Sequence, residues 1–153
     1  MLYKDLDIEN PSPEFLRFNP RLIMEEIGDF SVVIMQAYDR YAELRSAEDE
    51  AKEAVKIVDA ELADTLRKSA SESGVRITES QISMDVLLDN RHIEAENKYL
   101  AAKLASAKYN AFLEGLASKR SMMDLFGELV KRGFPMPNIG LADTDSREAS
   151  WTA

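Results

Sequence analysis

Apolar and small residues recur in steps of three and four through most of this chain, the spacing of a helical face and not the alternation of a strand. The series Ile27, Phe30, Ile34, Tyr38, Tyr41, Leu44, Ala51, Val55, Val58, Leu62 and Leu66 keeps that spacing, with one turn skipped at Glu48. Pro20 suits a first helical turn with Asn19 as its cap, and no further proline occurs before Pro135. A helix unbroken from Arg21 to about Ser69 would be roughly 70 Å long at 1.5 Å per residue.

The small polar run SASESG, ending in Gly74, predicts where that helix stops. Thr78 and Gln81 then have the spacing of a capping box, which predicts a short helix through about Leu88. Asp89 and Asn90 are suited to cap a third, long helix. On it Ile93, Leu100, Leu104, Ala107, Ala111, Met122, Leu125 and Leu129 form one stripe, and Phe112, Leu116, Met123, Phe126 and Val130 widen the apolar surface onto a neighbouring face. Gly133, Phe134 and Pro135 form a stop signal.

A long amphipathic rod cannot bury its stripe alone, so the two long helices are expected to pack on each other. The predicted fold class is all-α: a long antiparallel helical hairpin over residues 21–134 with a short helix at its turn, after an extended arm (1–20) and before a flexible tail (135–153). The third helix is apolar around about half its circumference from Ala101 to Ala117, more than one hairpin covers. This surplus predicts a homo-oligomer with Phe112, Leu116, Met123, Phe126 and Val130 at the interface. The alternative is a contact within the monomer made by the arm, which is broken by Pro11, Pro13 and Pro20 and offers Phe15, Leu16 or Phe18 for docking. In the tail, Trp151 is either an anchor for a partner protein or a terminal residue with no packing role.

Composition narrows the chemistry. With no Cys among 153 residues, disulfides, thiol catalysis and Cys-ligated zinc are excluded, and six Gly leave little scope for a phosphate-cradling loop. The longest mostly apolar run, Phe30 to Met35, is too short to cross a bilayer, and MLYKDLDIENPSPE does not read as a secretory signal, so a cytoplasmic protein with no membrane partner is expected. The net charge of −9 opposes unselective binding to polyanions, but it is unevenly spread: −7 over residues 1–69, −3 over 70–89, +3 over 90–134 and −2 over 135–153.

Catalytic signatures are sparse. A single His excludes a triad or a multi-histidine metal site; His92 and Glu96 share a helical face and would hold a divalent ion only weakly. The pairs Glu50/Glu53 and Glu61/Asp64 resemble the acidic pairs with which all-helical nucleotide pyrophosphohydrolases of the MazG type bind magnesium. Both fall on one predicted helix about three turns apart, where they do not converge on one ion. No catalytic residue, metal or cofactor is therefore expected. Basic residues are more suggestive, because hairpin geometry would bring Arg67, Lys68, Arg76 and Lys98 to one end of the rod, with Lys103 further along. Such a patch binds phosphates weakly and with steep salt dependence, and repetition around an oligomer adds avidity.

Two segments carry a family resemblance: TLRKSASESG, and VRITESQISMDVLLDNRHIEAENKYLAAKLASAKYNAFLEGLASKRSMMDLF. Their features are a T-E-x-Q-I element (Thr78 to Ile82), a short helix ending at Leu88 and Asp89, an Ala/Lys/Tyr-rich helix (Tyr99 to Leu113) and a basic turn (Lys119 to Met122). Over roughly residues 50–125 the chain resembles UvsY-like recombination mediator proteins of bacteriophages. The resemblance implies a non-enzymatic, ring-like homo-oligomer that binds single-stranded DNA and helps a recombinase displace single-strand binding protein. It places DNA contacts at Arg67 and Lys68. The expectation is thus a phage recombination mediator that holds DNA at Arg67, Lys68, Arg76, Lys98 and Lys103. The alternatives are a coiled-coil phage scaffold or adaptor that does not bind DNA and, third, the metal-dependent nucleotide hydrolase.

Overall fold

The computed structural model describes residues 6–17 and 23–134, the side chains of 23–26 excepted. Phe18, Asn19, Pro20, Arg21 and the tail with Trp151 lie outside the described residues. The described chain is all-α, with helices α1 (Ile23–Glu72), α2 (Glu79–Leu88) and α3 (Asn90–Lys131). Among the described residues a 3₁₀ turn, Pro13–Leu16, precedes them, started by Pro13 and by Ser12, whose hydroxyl accepts from the Glu14 N–H at 3.3 Å.

Local chemistry sets the helix ends. α1 closes on Gly74 at φ 64°, with the Val75 N–H reaching back to Ala70 O at 3.0 Å and the Gly74 N–H to Ser71 O at 3.3 Å. This is the paired Schellman pattern, which needs a left-handed residue and so favours glycine. α2 starts in a reciprocal capping box: Gln81 N–H donates to Thr78 Oγ1 at 3.3 Å, and Thr78 N–H donates to Gln81 Oε1 at 3.0 Å. Asp89 both ends α2 and caps α3, its carboxylate accepting from the Arg91 N–H at 2.7 Å. α3 ends as α1 does, on Gly133 at φ 78°.

Cross-helix contacts fix the direction of packing. Glu48 meets Ser106, Asp59 meets His92 and Glu61 meets Arg91, so numbers rise along α1 as they fall along α3 and the two run antiparallel. The apolar core is in two parts. One, at the turn, joins Leu62 of α1 to Ile82 and Val86 of α2. The larger joins Phe30, Val33 and Ala37 of α1 to Tyr109, Phe112, Leu113, Leu116 and Met123 of α3, and is capped by Phe15 of the arm. Burying a side chain such as Phe15 or Leu116 contributes roughly 1.5–3 kcal/mol.

The arm is held by polar as well as apolar contacts. Tyr109 donates its hydroxyl to Ile8 O at 3.0 Å, and Arg40 pairs with Glu9. Lys119, only 1% exposed, donates from Nζ to Phe15 O at 2.9 Å and lies 4.6 Å from the centre of the Phe15 ring. Leu16 packs on Gly115 so closely that a Cβ there would lie 2.5 Å from Leu16 Cδ1.

This arrangement corrects the expected oligomer interface. Phe112, Leu116 and Met123 are buried inside the monomer, and Phe126 is half-buried against the same core; of the five, Val130 alone is substantially exposed. The physical reason is the arm, whose Phe15 and Leu16 cover this face together with α1. The other stripe of α3 is the open one. Ile93, Leu100, Leu104, Met122, Leu125 and Leu129 are 38% to 63% exposed, with Ala107 and Ala111 exposed between them.

Candidate functional site

Two surfaces stand out: the basic residues around the turn, and the open stripe of α3. At the turn, the Schellman end of α1 and the capping box of α2 set Arg67 facing Glu79. The guanidinium donates through Nε at 3.2 Å and through Nη2 at 2.8 Å to the two carboxylate oxygens. This fork-like pair raises the Arg67 pKa and lowers that of Glu79, in each case chiefly through the hydrogen bond to the other. Lys68 Nζ pairs with Asp64 one turn back at 2.6 Å. Arg67 and Lys68 therefore each already face a carboxylate that an incoming phosphate has to displace.

Arg76 lies in an open hollow of about 590 Å³ between the end of α1 and α2, whose polar lining includes Ser69, Ser73, Ser80 and Gln81. Lys98 and Lys103 are exposed on α3, Lys103 with its ammonium 5.7 Å from the centre of the Tyr99 ring. The five expected DNA contacts do not converge. Arg67 and Lys103 are about 27 Å apart along the rod, and Lys98 and Lys103 point about 140° apart around α3. Among the described residues Arg76, Lys98, Lys103 and Lys108 form no ion pair. They form a dispersed set of available cations.

The acidic pairs are committed elsewhere. Glu53 pairs with Lys56, Glu61 with Arg91 and Asp64 with Lys68, while Glu50 accepts from Ser46. His92 Nδ1 lies 2.6 Å from Asp59 Oδ1 across the α1–α3 contact, so its packing partner is on the facing helix and not Glu96. Among the described residues no group of three or more His, Asp or Glu is placed to hold a metal ion. Nor is any helix among them long and apolar enough to cross a membrane.

Sequence reasoning missed two charged residues of the packed faces: Lys119, expected in a basic turn and instead buried within α3 beneath the arm, and Glu48. Glu48, read as a skipped turn of the α1 stripe, is itself buried there, accepting from Ser106 Oγ at 2.6 Å and pairing with Arg45 at 2.9 Å. The Ser106 hydrogen bond is the main reason its carboxyl pKa is lowered, helped by Arg45 and Lys103 and opposed by burial. The signal was present in the exact three-and-four spacing on both sides of Glu48, which puts position 48 on the packed face whatever its chemistry.

The second surface is the open stripe, which extends about 44 Å from Leu100 to Leu129 at 1.5 Å per residue. Ala111 in the stripe and Leu113 in the core lie about 160° apart around α3, so this helix is apolar on two nearly opposite faces. One is used by the monomer, and the other is exposed. Exposed apolar side chains aligned over this length, interrupted between Ala111 and Met122 by Glu114 and Ser118, are more than a lone chain usually shows. No family model, curated protein or solved structure matches the chain.

Proposed function

We propose that the chain is a non-catalytic recombination mediator that works as a homo-oligomer, holding single-stranded DNA on basic side chains repeated around the assembly and assisting a recombinase against single-strand binding protein. The observation that carries the reading is the open apolar stripe of α3, which gives copies of the chain a surface to associate through. The resemblance of residues 50–125 to UvsY-like mediators supplies the DNA and recombinase part. The dispersed cations Arg76, Lys98 and Lys108, which form no ion pair among the described residues, suit it, because a flexible single strand follows separated charges and the oligomer multiplies them. Arg67 and Lys68 take a lesser part in this version, since contact with DNA has to displace Glu79 and Asp64.

The test is fluorescence anisotropy of a labelled oligothymidylate over a salt series. The reading expects binding at low salt that weakens steeply as salt rises. Arg76→Ala combined with Lys98→Ala is expected to lower affinity by roughly tenfold and flatten the salt slope. No binding at the lowest salt overturns it. A second reading, an oligomeric phage scaffold or adaptor without DNA binding, is favoured by the neutralised Arg67 and Lys68 and by the acidic balance of the chain. It expects an intact oligomer and no anisotropy change.

A further inference from the structure

We infer that the open stripe of α3 pairs with the same stripe of a second copy, antiparallel, about a two-fold axis passing beside Glu114. The inference rests on the self-assembly part of the reading above and adds its partner, direction and register. Size complementarity selects the direction. Ala107, Ala111 and Ser118 make the middle of the stripe thin, whereas Leu100 and Leu104 at one end and Met122, Leu125 and Leu129 at the other are bulky. Parallel pairing in register would set small against small from Ala107 to Ser118, about 17 Å. Antiparallel pairing sets Leu104 against the partner's Leu125, Leu100 against the partner's Leu129 and Ala107 against the partner's Met122. The thin stretch then shrinks to the part from Ala111 to Ser118, about 10 Å.

Charge favours the same register away from the axis, where two kinds of opposite-charge pair, each made twice, outweigh the single approach of Glu114 to the partner's Glu114. On the flank of the stripe, Glu96 falls opposite the partner's Arg132, and Lys103 close to the partner's Glu128. Within the chain Glu96, Arg132 and Lys103 form no ion pair among the described residues, and Glu128 pairs with Lys131 through one carboxylate oxygen. An isologous contact makes each such pair twice. The spacing of the apolar positions is also that of a two-helix seam. Leu100, Leu104, Ala107 and Ala111 advance by four, three and four residues, and Met122, Leu125 and Leu129 by three and four, so each large side chain meets a gap on the facing helix.

The absence of Cys makes the register directly testable by introduced thiols and a short bis-maleimide cross-linker. The sites are exposed, and circular dichroism of each variant verifies that the helices persist. Glu114→Cys is expected to give covalent dimer by itself. Leu104→Cys is not, because the two copies of residue 104 lie about 31 Å apart in this register. A mixture of Leu104→Cys with Leu125→Cys is expected to give the covalent pair. Efficient self-linking of Leu104→Cys would mean parallel pairing and overturn the inference. Lack of cross-linking by every variant in a protein that still sediments as an oligomer would place association on another face and also overturn it, leaving the assembly reading intact. A monomer at all concentrations removes both.

Discussion

Ser106 Oγ donates to Glu48 Oε2 at 2.6 Å in the middle of the contact between α1 and α3, between the two apolar clusters. The carboxyl is shifted below its ordinary range, mainly by this hydrogen bond. A carboxylate with a lowered folded-state pKa contributes stability above its unfolded value, about 4.3, and that contribution disappears as pH falls through the lower, folded value. Glu48→Gln keeps an oxygen that accepts from Ser106 but cannot titrate. Urea midpoints at pH 7 and pH 3 are therefore expected to differ less in Glu48→Gln than in the parent chain. Equal acid sensitivity in the two would contradict the assignment.

Lys119 is buried beneath the arm with its ammonium on Phe15 O. Lys119→Met keeps most of the packed stem and leaves that carbonyl without this donor, so a loss of about 1–3 kcal/mol is expected in denaturant titration. Hydrogen exchange should quicken in residues 6–17 more than at the turn. A uniform change along the chain would show that Lys119 does not pin the arm.

Gly115 is where Leu16 lands. Alanine there brings about 1 kcal/mol of helix propensity and asks only that the end of the Leu16 side chain move, so Gly115→Ala is expected to leave overall stability within about 1 kcal/mol of the parent. Gly115→Val adds bulk that the arm has to vacate. Limited proteolysis is expected to cut the arm of the valine variant first, and equal resistance in both variants would argue against this docking.

Thr78 completes the capping box of α2. Thr78→Ala is expected to cost about 0.5–2 kcal/mol in thermal or urea unfolding. The loss should be concentrated in the small cluster of Leu62, Ile82 and Val86, detectable as faster exchange in α2 with α3 beyond Ala95 little changed. Equal acceleration throughout α3 would mean that the turn is not a separate cooperative element.

The helix ends were legible because they are local. Gly74, the Thr78/Gln81 pair, Asp89 and Gly133 act on backbone groups a few residues away, and each terminates or starts a helix where its chemistry requires. The two apolar stripes of α3 were equally visible, but their assignment was not. Which stripe the monomer uses depends on Phe15 and Leu16, distant in sequence, covering Phe112, Leu116 and Gly115. The same non-locality hid the partners of the cations. Nothing around Arg67 in the chain signals that Glu79, twelve residues on, will neutralise it, and a pattern of apolar spacing treats Glu48 as a gap when it is a buried hydrogen-bond partner.

Sedimentation equilibrium over a hundredfold range of concentration tests the central claim, that α3 offers its open stripe to other copies of the chain. The parent protein is expected to give a discrete mass at an even multiple of 17.2 kDa, and the double variant Leu104→Glu with Leu125→Glu to fall to a single chain while retaining its helical circular dichroism. A parent protein that stays at 17.2 kDa throughout, or a double variant that assembles as well as the parent, would contradict it.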